Sequence, residues 1–235
     1  MDSSSHDNMS FLEHLEELRW HIIRSLIAIV SAGFICFLMK DFIFDTIIFG
    51  PKKMDFPTYK FLCQAATFIG VETTFCGDEF PFIVQNRTMA GQFSAHVMTS
   101  IISGFIISFP YILYEFWKFI SPGLLEKEKA KSRGFIFISS LLFFIGVLFG
   151  YYIISPLSIN FLGTYQVSSQ VLNEIDLGSF ISLVRSSAIA SGIIFELPII
   201  IYFLTKAGVV TPESLVKYRK YAVSYTHLRA HETLN

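Results

Sequence analysis

The chain of 235 residues is 52% hydrophobic, 16% aromatic and only 16% charged, with a mean hydropathy of +0.53. Soluble domains carry about 25% charged residues, so this composition excludes a soluble globular protein and indicates an integral membrane protein. The formal net charge of −1 gives no sign of a nucleic-acid partner, and the orientation in the membrane must be read from the distribution of charge.

A short amphipathic helix leads into the first apolar segment. Ser10 and Glu13 have the spacing of a capping box, which predicts a helix start just before the membrane. Helical spacing predicts two faces for this helix. The apolar face consists of Phe11, Leu15, Leu18 and Ile22, and the other face carries Glu13, Glu17, Trp20 and Arg24. Carboxylates held beside hydrocarbon suit a site that receives a cation, because acidic side chains gain nothing from the anionic inner leaflet. A capped, solvated lead-in to a membrane helix explains these residues equally well.

Four apolar segments are long enough to cross a hydrocarbon core of roughly 30 Å, and they predict an all-α polytopic membrane bundle. They cover about residues 22–39, 93–120, 134–154 and 180–204. The first is expected to be a retained anchor, because it follows about twenty polar residues and is longer than the core of a signal peptide. Pro110 predicts a kink in the second segment, and Pro156 is expected to end the third.

The two long connecting loops contain few residues that suggest a catalytic or binding function. Residues 40–92 have nearly balanced charge and apolar clusters typical of short helices that lie on a membrane surface. Cys63 and Cys76 lie in this loop and could form a disulfide in an oxidising compartment, whereas Cys36 lies in the first apolar segment. Residues 155–179 contain no lysine or arginine. Neither loop contains a catalytic constellation.

The basic residues predict the orientation, because short cytoplasmic loops are enriched in lysine and arginine. Five of them flank the second and third segments, namely Lys118, Lys127, Lys129, Lys131 and Arg133, and four follow the fourth segment, namely Lys206, Lys217, Arg219 and Lys220. This distribution predicts a cytoplasmic N-terminus and a cytoplasmic 121–133 loop. Residues 40–92 and 155–179 are then expected on the outer side.

Several charged residues lie within the apolar segments, where they are energetically costly. Glu196 lies deep in the fourth segment, where a charge costs at least about 2.5 kcal/mol, and Pro198 frees a backbone carbonyl nearby. Two roles remain possible for Glu196: a contact with a partner, or a buried hydrogen bond that only supports the fold. Arg185 is about 16 Å away along an ideal helix, which is too far for direct pairing. Glu115 and Lys118 are three residues apart, which predicts an intrahelical pair.

Three motifs give the chain a resemblance to a known family. They are His-Leu-Glu-Glu-Leu-Arg at 14–19, Phe-Ile-Ser-Pro-Gly-Leu-Leu-Glu-Lys-Glu-Lys at 119–129 and Phe-Glu-Leu-Pro at 195–198. Their order and their positions relative to the apolar segments make residues 10–223 resemble the TatC family, the multi-span subunits of the twin-arginine, or Sec-independent, protein translocase. The resemblance implies a concave, glove-like helical fold in the inner membrane, with four of the family's six helices present.

The resemblance implies that Glu17 and Glu128 receive the paired arginines of a folded cargo's signal peptide at the cytoplasmic face. This agrees with the residue chemistry, because a guanidinium binds a carboxylate through two parallel hydrogen bonds. Neutralisation by the surrounding lysines is the alternative for Glu128. Neighbouring family positions that would shape the site are His14, Leu18, Arg19, Phe119 and Pro122, and those that would contact partner subunits are Glu196 and Pro198.

The resemblance also implies export driven by the proton-motive force, without enzymatic activity, cofactor or metal. The expected partners are twin-arginine signal peptides, single-span subunits of the TatA and TatB type, further copies in a homo- and hetero-oligomer, and membrane lipid. A proton- or ion-coupled small-solute transporter is the alternative, because it also explains a lone intramembrane glutamate and a proline-bent helix. An intramembrane hydrolase is disfavoured, since no pairing of a nucleophile with a base is visible.

The C-terminal end departs from the family pattern. Residues 211–223 resemble the approach to a fifth family helix, but residues 224–235 are polar and too short to cross a bilayer. We therefore expect a TatC-like domain over 1–223 followed by an unrelated tail that arose by truncation or sequence assembly. His227 and His231 could share a helix face in this tail, but two ligands do not predict a metal site.

Overall fold

The computed structural model describes residues 11–71, 76–77, 80–120, 132–168, 170 and 173–206. The predicted cap at Ser10, the 121–131 loop and the tail at 224–235 lie outside these residues. The chain divides into two compact units, residues 1–194 and 195–235. The packing described below is that of the first unit, and residues 195–206 are the described part of the second.

Long apolar helices dominate the described residues. The helices are α1 (Phe11–Leu38), α2 (Pro57–Ile69), α3 (Gly91–Ile120), α4 (Ser132–Phe149), α5 (Ser155–Thr164) and α6 (Leu177–Lys206). By length and composition, four stretches within this part of the chain can cross a membrane, namely His14–Leu38, Gly91–Ile120, Gly134–Thr164 and Leu177–Tyr202. The predicted all-α membrane class with four spanning helices is confirmed. Val30 and Phe34 of α1 are 63% and 62% exposed, as expected of side chains that face lipid.

α1 and α3 run antiparallel and form the most extensive helix contact of the first unit. Gly33 and Gly104 meet where the helices cross, and a Cβ on Gly104 would lie only 2.5 Å from the Gly33 nitrogen. Such close approach of two backbones requires small residues. The Ser108 hydroxyl also donates a 2.9 Å hydrogen bond to the Ala28 carbonyl oxygen. These contacts fix the register of the two helices and therefore the positions of their ends.

The third membrane segment continues past Pro156, so the prediction that this proline ends it is wrong. α4 passes through a π-helical turn, Gly150–Ile154, into α5, which ends only at Thr164. Pro156 has no N–H, which leaves the Tyr152 carbonyl without its usual helical donor. The Thr58 hydroxyl of α2 donates to that carbonyl instead. A side chain from a neighbouring helix thus allows the segment to continue.

Two short strands were missed by the all-α expectation. β1 (Phe82–Gln85) and β2 (Asn173–Asp176) pair in parallel, with Phe82 opposite Asn173. β1 belongs to the predicted 40–92 loop and β2 to the predicted 155–179 loop. An ion pair of 3.1 Å between Arg87 and Glu174 also joins the two loops. The loops therefore lie at the same end of the helices, in agreement with their predicted placement on one side.

The loop end of the first unit contains the short helices predicted for residues 40–92. A π-helical segment, Phe42–Ile48, and a 3-10 turn, Gly50–Lys52, precede α2, and a disulfide joins Cys63 to Cys76 with Cα atoms 5.1 Å apart. A buried apolar cluster lies at this end and comprises Cys36, Ile43, Ile48, Phe82, Ile159, Phe180, Ile181 and Val184. The opposite ends of α1 and α3 lie outside this cluster and carry the charged residues described next.

Candidate functional site

The first turns of α1 lie against the last turns of α3, at the end of the helix pair that is remote from the loops. His14 stacks on Phe119 with ring centroids 4.5 Å apart and an interplanar angle of 22°. His21 meets the same ring edge-on at 6.1 Å. Two histidines of α1, separated by two helical turns, therefore contact one aromatic ring of α3.

A buried imidazole–carboxylate pair lies beside this ring. His21 and Glu115 are 5% and 3% exposed, and the His21 Nδ1 atom is 2.6 Å from the Glu115 Oε2 atom. A guanidinium nitrogen of Arg24 lies 3.8 Å from the same carboxylate oxygen, with its side chain 47% exposed. Because a buried carboxylate is costly without a partner, His21 and Arg24 stabilise Glu115 where α1 meets α3.

Glu17 lies one turn before His21 and is the more accessible of the two carboxylates. Its Oε1 atom is 3.9 Å from His21 Nε2, and its side chain is 36% exposed. Leu18 lines an apolar cleft between α1 and α3 together with His21 and Phe119. Arg19 is exposed and, being two residues from Glu17, lies on another side of the helix. The Glu17 carboxylate is therefore partly exposed, and its neighbour Leu18 belongs to the apolar cleft.

The structure brings together four of the residues predicted for this site, namely His14, Glu17, Leu18 and Phe119. The predicted residues Pro122 and Glu128 lie outside the described residues. Glu196 is 6% exposed, whereas Pro198, two residues later in α6, is exposed. The burial of Glu196 is compatible with both sequence interpretations. Within the described ranges, no group of three His, Cys, Asp or Glu side chains is arranged to hold a metal ion.

The predicted intrahelical pair of Glu115 with Lys118 is wrong, because Glu115 is buried against α1 while Lys118 is exposed. The interhelical partner, His21, was missed altogether. Its spacing of four residues from Glu17 places both side chains on one face of α1 and is a signal that the sequence carries. The partnership with Glu115 depends on the register of α1 against α3, which spacing within one helix does not give.

Comparison with known proteins places this geometry in context. Residues 13–230 match the family model described as Sec-independent protein translocase protein (TatC). The chain is 46% identical over 217 residues to the Sec-independent protein translocase protein TatC of Blattabacterium sp. subsp. Periplaneta americana (strain BPLAN), which covers 92% of this chain and 82% of that protein. Against TatC of Aquifex aeolicus (strain VF5) it is 35% identical over 218 residues, or 92% and 80% of the two chains. A crystal structure of the twin-arginine translocase receptor TatC in DDM has a TM-score of 0.70 and 34% identity, covering 91% of this chain and 84% of that one.

The fold and the site together define a multi-span α-helical membrane protein with a cluster of charged residues at one end of a helix pair. The relatives narrow this class to the membrane subunits of a protein translocase. The chain belongs to the TatC family of Sec-independent protein translocase proteins. The predicted resemblance is thus confirmed, the chain is a translocase subunit rather than an enzyme, and the small-solute transporter gains no support.

Proposed function

We propose that this chain is the receptor for twin-arginine signal peptides in a protein export complex of the inner membrane. The N-terminus and the ends of α1 and α3 that carry Glu17 face the cytoplasm, where folded precursors are met. Glu17 and Glu128 each accept one guanidinium of the arginine pair. The observation that carries this proposal is the position of Glu17, 36% exposed, one turn from a buried imidazole–carboxylate pair. The solved relatives, described as twin-arginine translocase receptors, support it.

The chemistry of the site favours arginine over lysine. A guanidinium presents a planar fork of donors that matches both oxygens of one carboxylate, whereas an ammonium is a point charge. The aromatic pair of His14 and Phe119 adds a flat surface beside Glu17, and guanidinium groups stack well on such surfaces. The Glu17 side chain is only 36% exposed, and partial removal from water strengthens a charged hydrogen bond.

Crosslinking of a twin-arginine precursor tests the assignment of the two carboxylates. In membrane vesicles that contain the complete gene product, we expect Glu17→Ala and Glu128→Ala each to reduce precursor contact by roughly tenfold, because each loses a charge-assisted hydrogen bond. Glu16→Ala is the matched control, since Glu16 is an exposed neighbour of the same type on α1. Undiminished contact in both variants would remove the proposed recognition site.

Glu196 has a separate role in this proposal. It contacts single-span partners of the TatA and TatB type, which assemble with the receptor and further copies of it, and export is driven by the proton-motive force. The support is the position of an ionisable side chain within a membrane-spanning helix, where ionisable groups are costly and usually functional.

The variant Glu196→Ala separates binding from assembly. We expect precursor contact to persist, since the proposed recognition carboxylates are unchanged, while co-purification of the single-span partners decreases several-fold. Co-purification and crosslinking measured on the same membranes provide the comparison. Loss of precursor contact with intact assembly would reverse the assignment of Glu196.

A further inference from the structure

The buried pair of His21 and Glu115 is not used by the proposed recognition of arginine, although it lies directly beneath Glu17. The two side chains come from different helices and are 5% and 3% exposed. Both are titratable, and both lie in segments that are apolar enough to span a membrane. A buried titratable pair at this position either stabilises the fold or contributes to the site.

His21 lies between two carboxylates and is hydrogen-bonded to one of them. Its Nδ1 atom is 2.6 Å from Glu115, and its Nε2 atom is 3.9 Å from Glu17. The first distance is as short as a charge-assisted hydrogen bond, whereas the second is longer than any hydrogen bond. An imidazolium donates a hydrogen bond to the nearer carboxylate, Glu115, and carries a positive charge close to both.

We propose that His21 is a positioning residue of the receptor site, which pairs with the buried Glu115 and thereby maintains the α1–α3 contact beneath Glu17 and Phe119. This inference rests on the proposed receptor function. His21 does not touch the incoming arginines. It acts through the α1–α3 contact and through the packing of Phe119, whose ring it meets edge-on.

The charged and titratable groups around His21 determine how its proton affects the site. α1 contributes Glu17 and Arg24, and α3 contributes Glu115, whose carboxylate also contacts the Tyr111 hydroxyl. With His21 protonated, two cations balance two carboxylates. Without that proton, the buried Glu115 keeps only Arg24, a partly exposed side chain 3.8 Å away.

Loss of the proton affects Glu115 more than it affects Glu17. The 3.9 Å separation means that the imidazolium screens Glu17 only weakly, so its removal adds little to the attraction for an incoming arginine. The buried Glu115 loses its close countercharge, and a desolvated carboxylate tolerates this poorly. The α1–α3 contact below Glu17 and Phe119 then rearranges, and precursor binding weakens as the pH rises.

The test is the pH profile of precursor binding to the full-length protein in membrane vesicles, measured from about pH 6 to about pH 9. We expect affinity in the wild type to fall by roughly tenfold across this range, the size of one charge-assisted hydrogen bond. His21→Gln should bind weakly and without pH dependence. His21→Arg, which keeps a cation at every pH, should bind well and show a flat profile. Glu115→Gln should also flatten the profile, because His21 then has no buried charge to balance.

Two further histidines provide controls. His96 stacks on Phe37 in the part of α3 nearer the loops, so His96→Gln should leave the wild-type profile unchanged. His14→Gln tests the other imidazole beside Phe119. A profile that persists in His21→Gln but disappears in His14→Gln would overturn the proposal, as would tighter binding of the wild type at high pH. The variant Glu17→Ala separates the two levels: normal binding there sinks the receptor function itself, whereas loss of binding there with a wild-type profile in His21→Gln sinks only the role of His21.

Discussion

Replacement of Gly104 by leucine is expected to prevent stable pairing of α1 and α3. A Cβ at this position would lie 2.6 Å from the Ile29 carbonyl oxygen and 2.7 Å from the Gly33 Cα atom. Both contacts are with backbone, which cannot rotate away as a side chain can, so the helices must separate. Overpacking of a well-packed contact typically costs about 1 to 3 kcal/mol, and this variant should lie at the upper end of that range. Thermal unfolding of the purified protein in detergent measures the effect.

Gly134 is the matched control for this experiment. It also lies in a membrane helix, but a Cβ there would meet none of the described residues within 4 Å. Gly134→Leu gains the same intrinsic helix propensity, about 1 kcal/mol relative to glycine, without the clash. A midpoint for Gly104→Leu equal to that for Gly134→Leu would show that α1 and α3 do not approach as closely as described.

Replacement of Tyr59 by alanine is expected to detach α2 from the third membrane segment. Tyr59 is completely buried, and its hydroxyl oxygen lies 2.9 Å from the carbonyl oxygens of both Pro51 and Pro156. Burial raises the pKa of Tyr59 above its usual range, so the hydroxyl remains a proton donor. Loss of a buried aromatic ring costs about 3 to 5 kcal/mol. Chemical unfolding, together with limited proteolysis of the loop before α2, measures this loss.

The variant Tyr59→Phe divides this effect into its parts. It keeps the ring that packs near Phe56 and Phe80 and removes only the hydroxyl, for which we expect about 1 kcal/mol. A loss in Tyr59→Ala no larger than that in Tyr59→Phe would mean that burial of the ring contributes little. The attachment of α2 would then depend on other contacts, such as that of Thr58 with the Tyr152 carbonyl.

The membrane helices were predictable because length and apolar composition alone decide which segments can span a bilayer. The end of the third segment was not predictable in this way, because a proline such as Pro156 usually indicates the end of a helix. Its effect is offset here by the Thr58 hydroxyl, a donor from a helix almost one hundred residues earlier in the chain. The β1–β2 pair was not predicted for a related reason: each strand has only four residues, and its partner lies in a different loop.

The candidate site was partly predictable. Family resemblance identified His14, Glu17 and Phe119. In the structure His14 and Glu17 lie one turn apart on α1, and His14 stacks on Phe119 of α3. Glu115 was assigned to a local pair with Lys118, because local spacing is all that a single helix provides. Its buried partnership with His21 follows from the glycine-mediated register of the two helices. The polar core of the site therefore depends on tertiary packing, whereas the exposed carboxylate is visible in the sequence.

We propose that two carboxylates, Glu17 near the start of α1 and Glu128, together recognise paired guanidinium groups. The most direct test compares the affinity of a twin-arginine peptide with that of the same peptide carrying two lysines, for the wild type and for the double variant Glu17→Gln, Glu128→Gln. We expect the wild type to prefer the arginine peptide by about tenfold or more, because lysine lacks the bidentate fork. That preference should disappear in the double variant. An undiminished preference for arginine in the double variant would contradict recognition by these carboxylates.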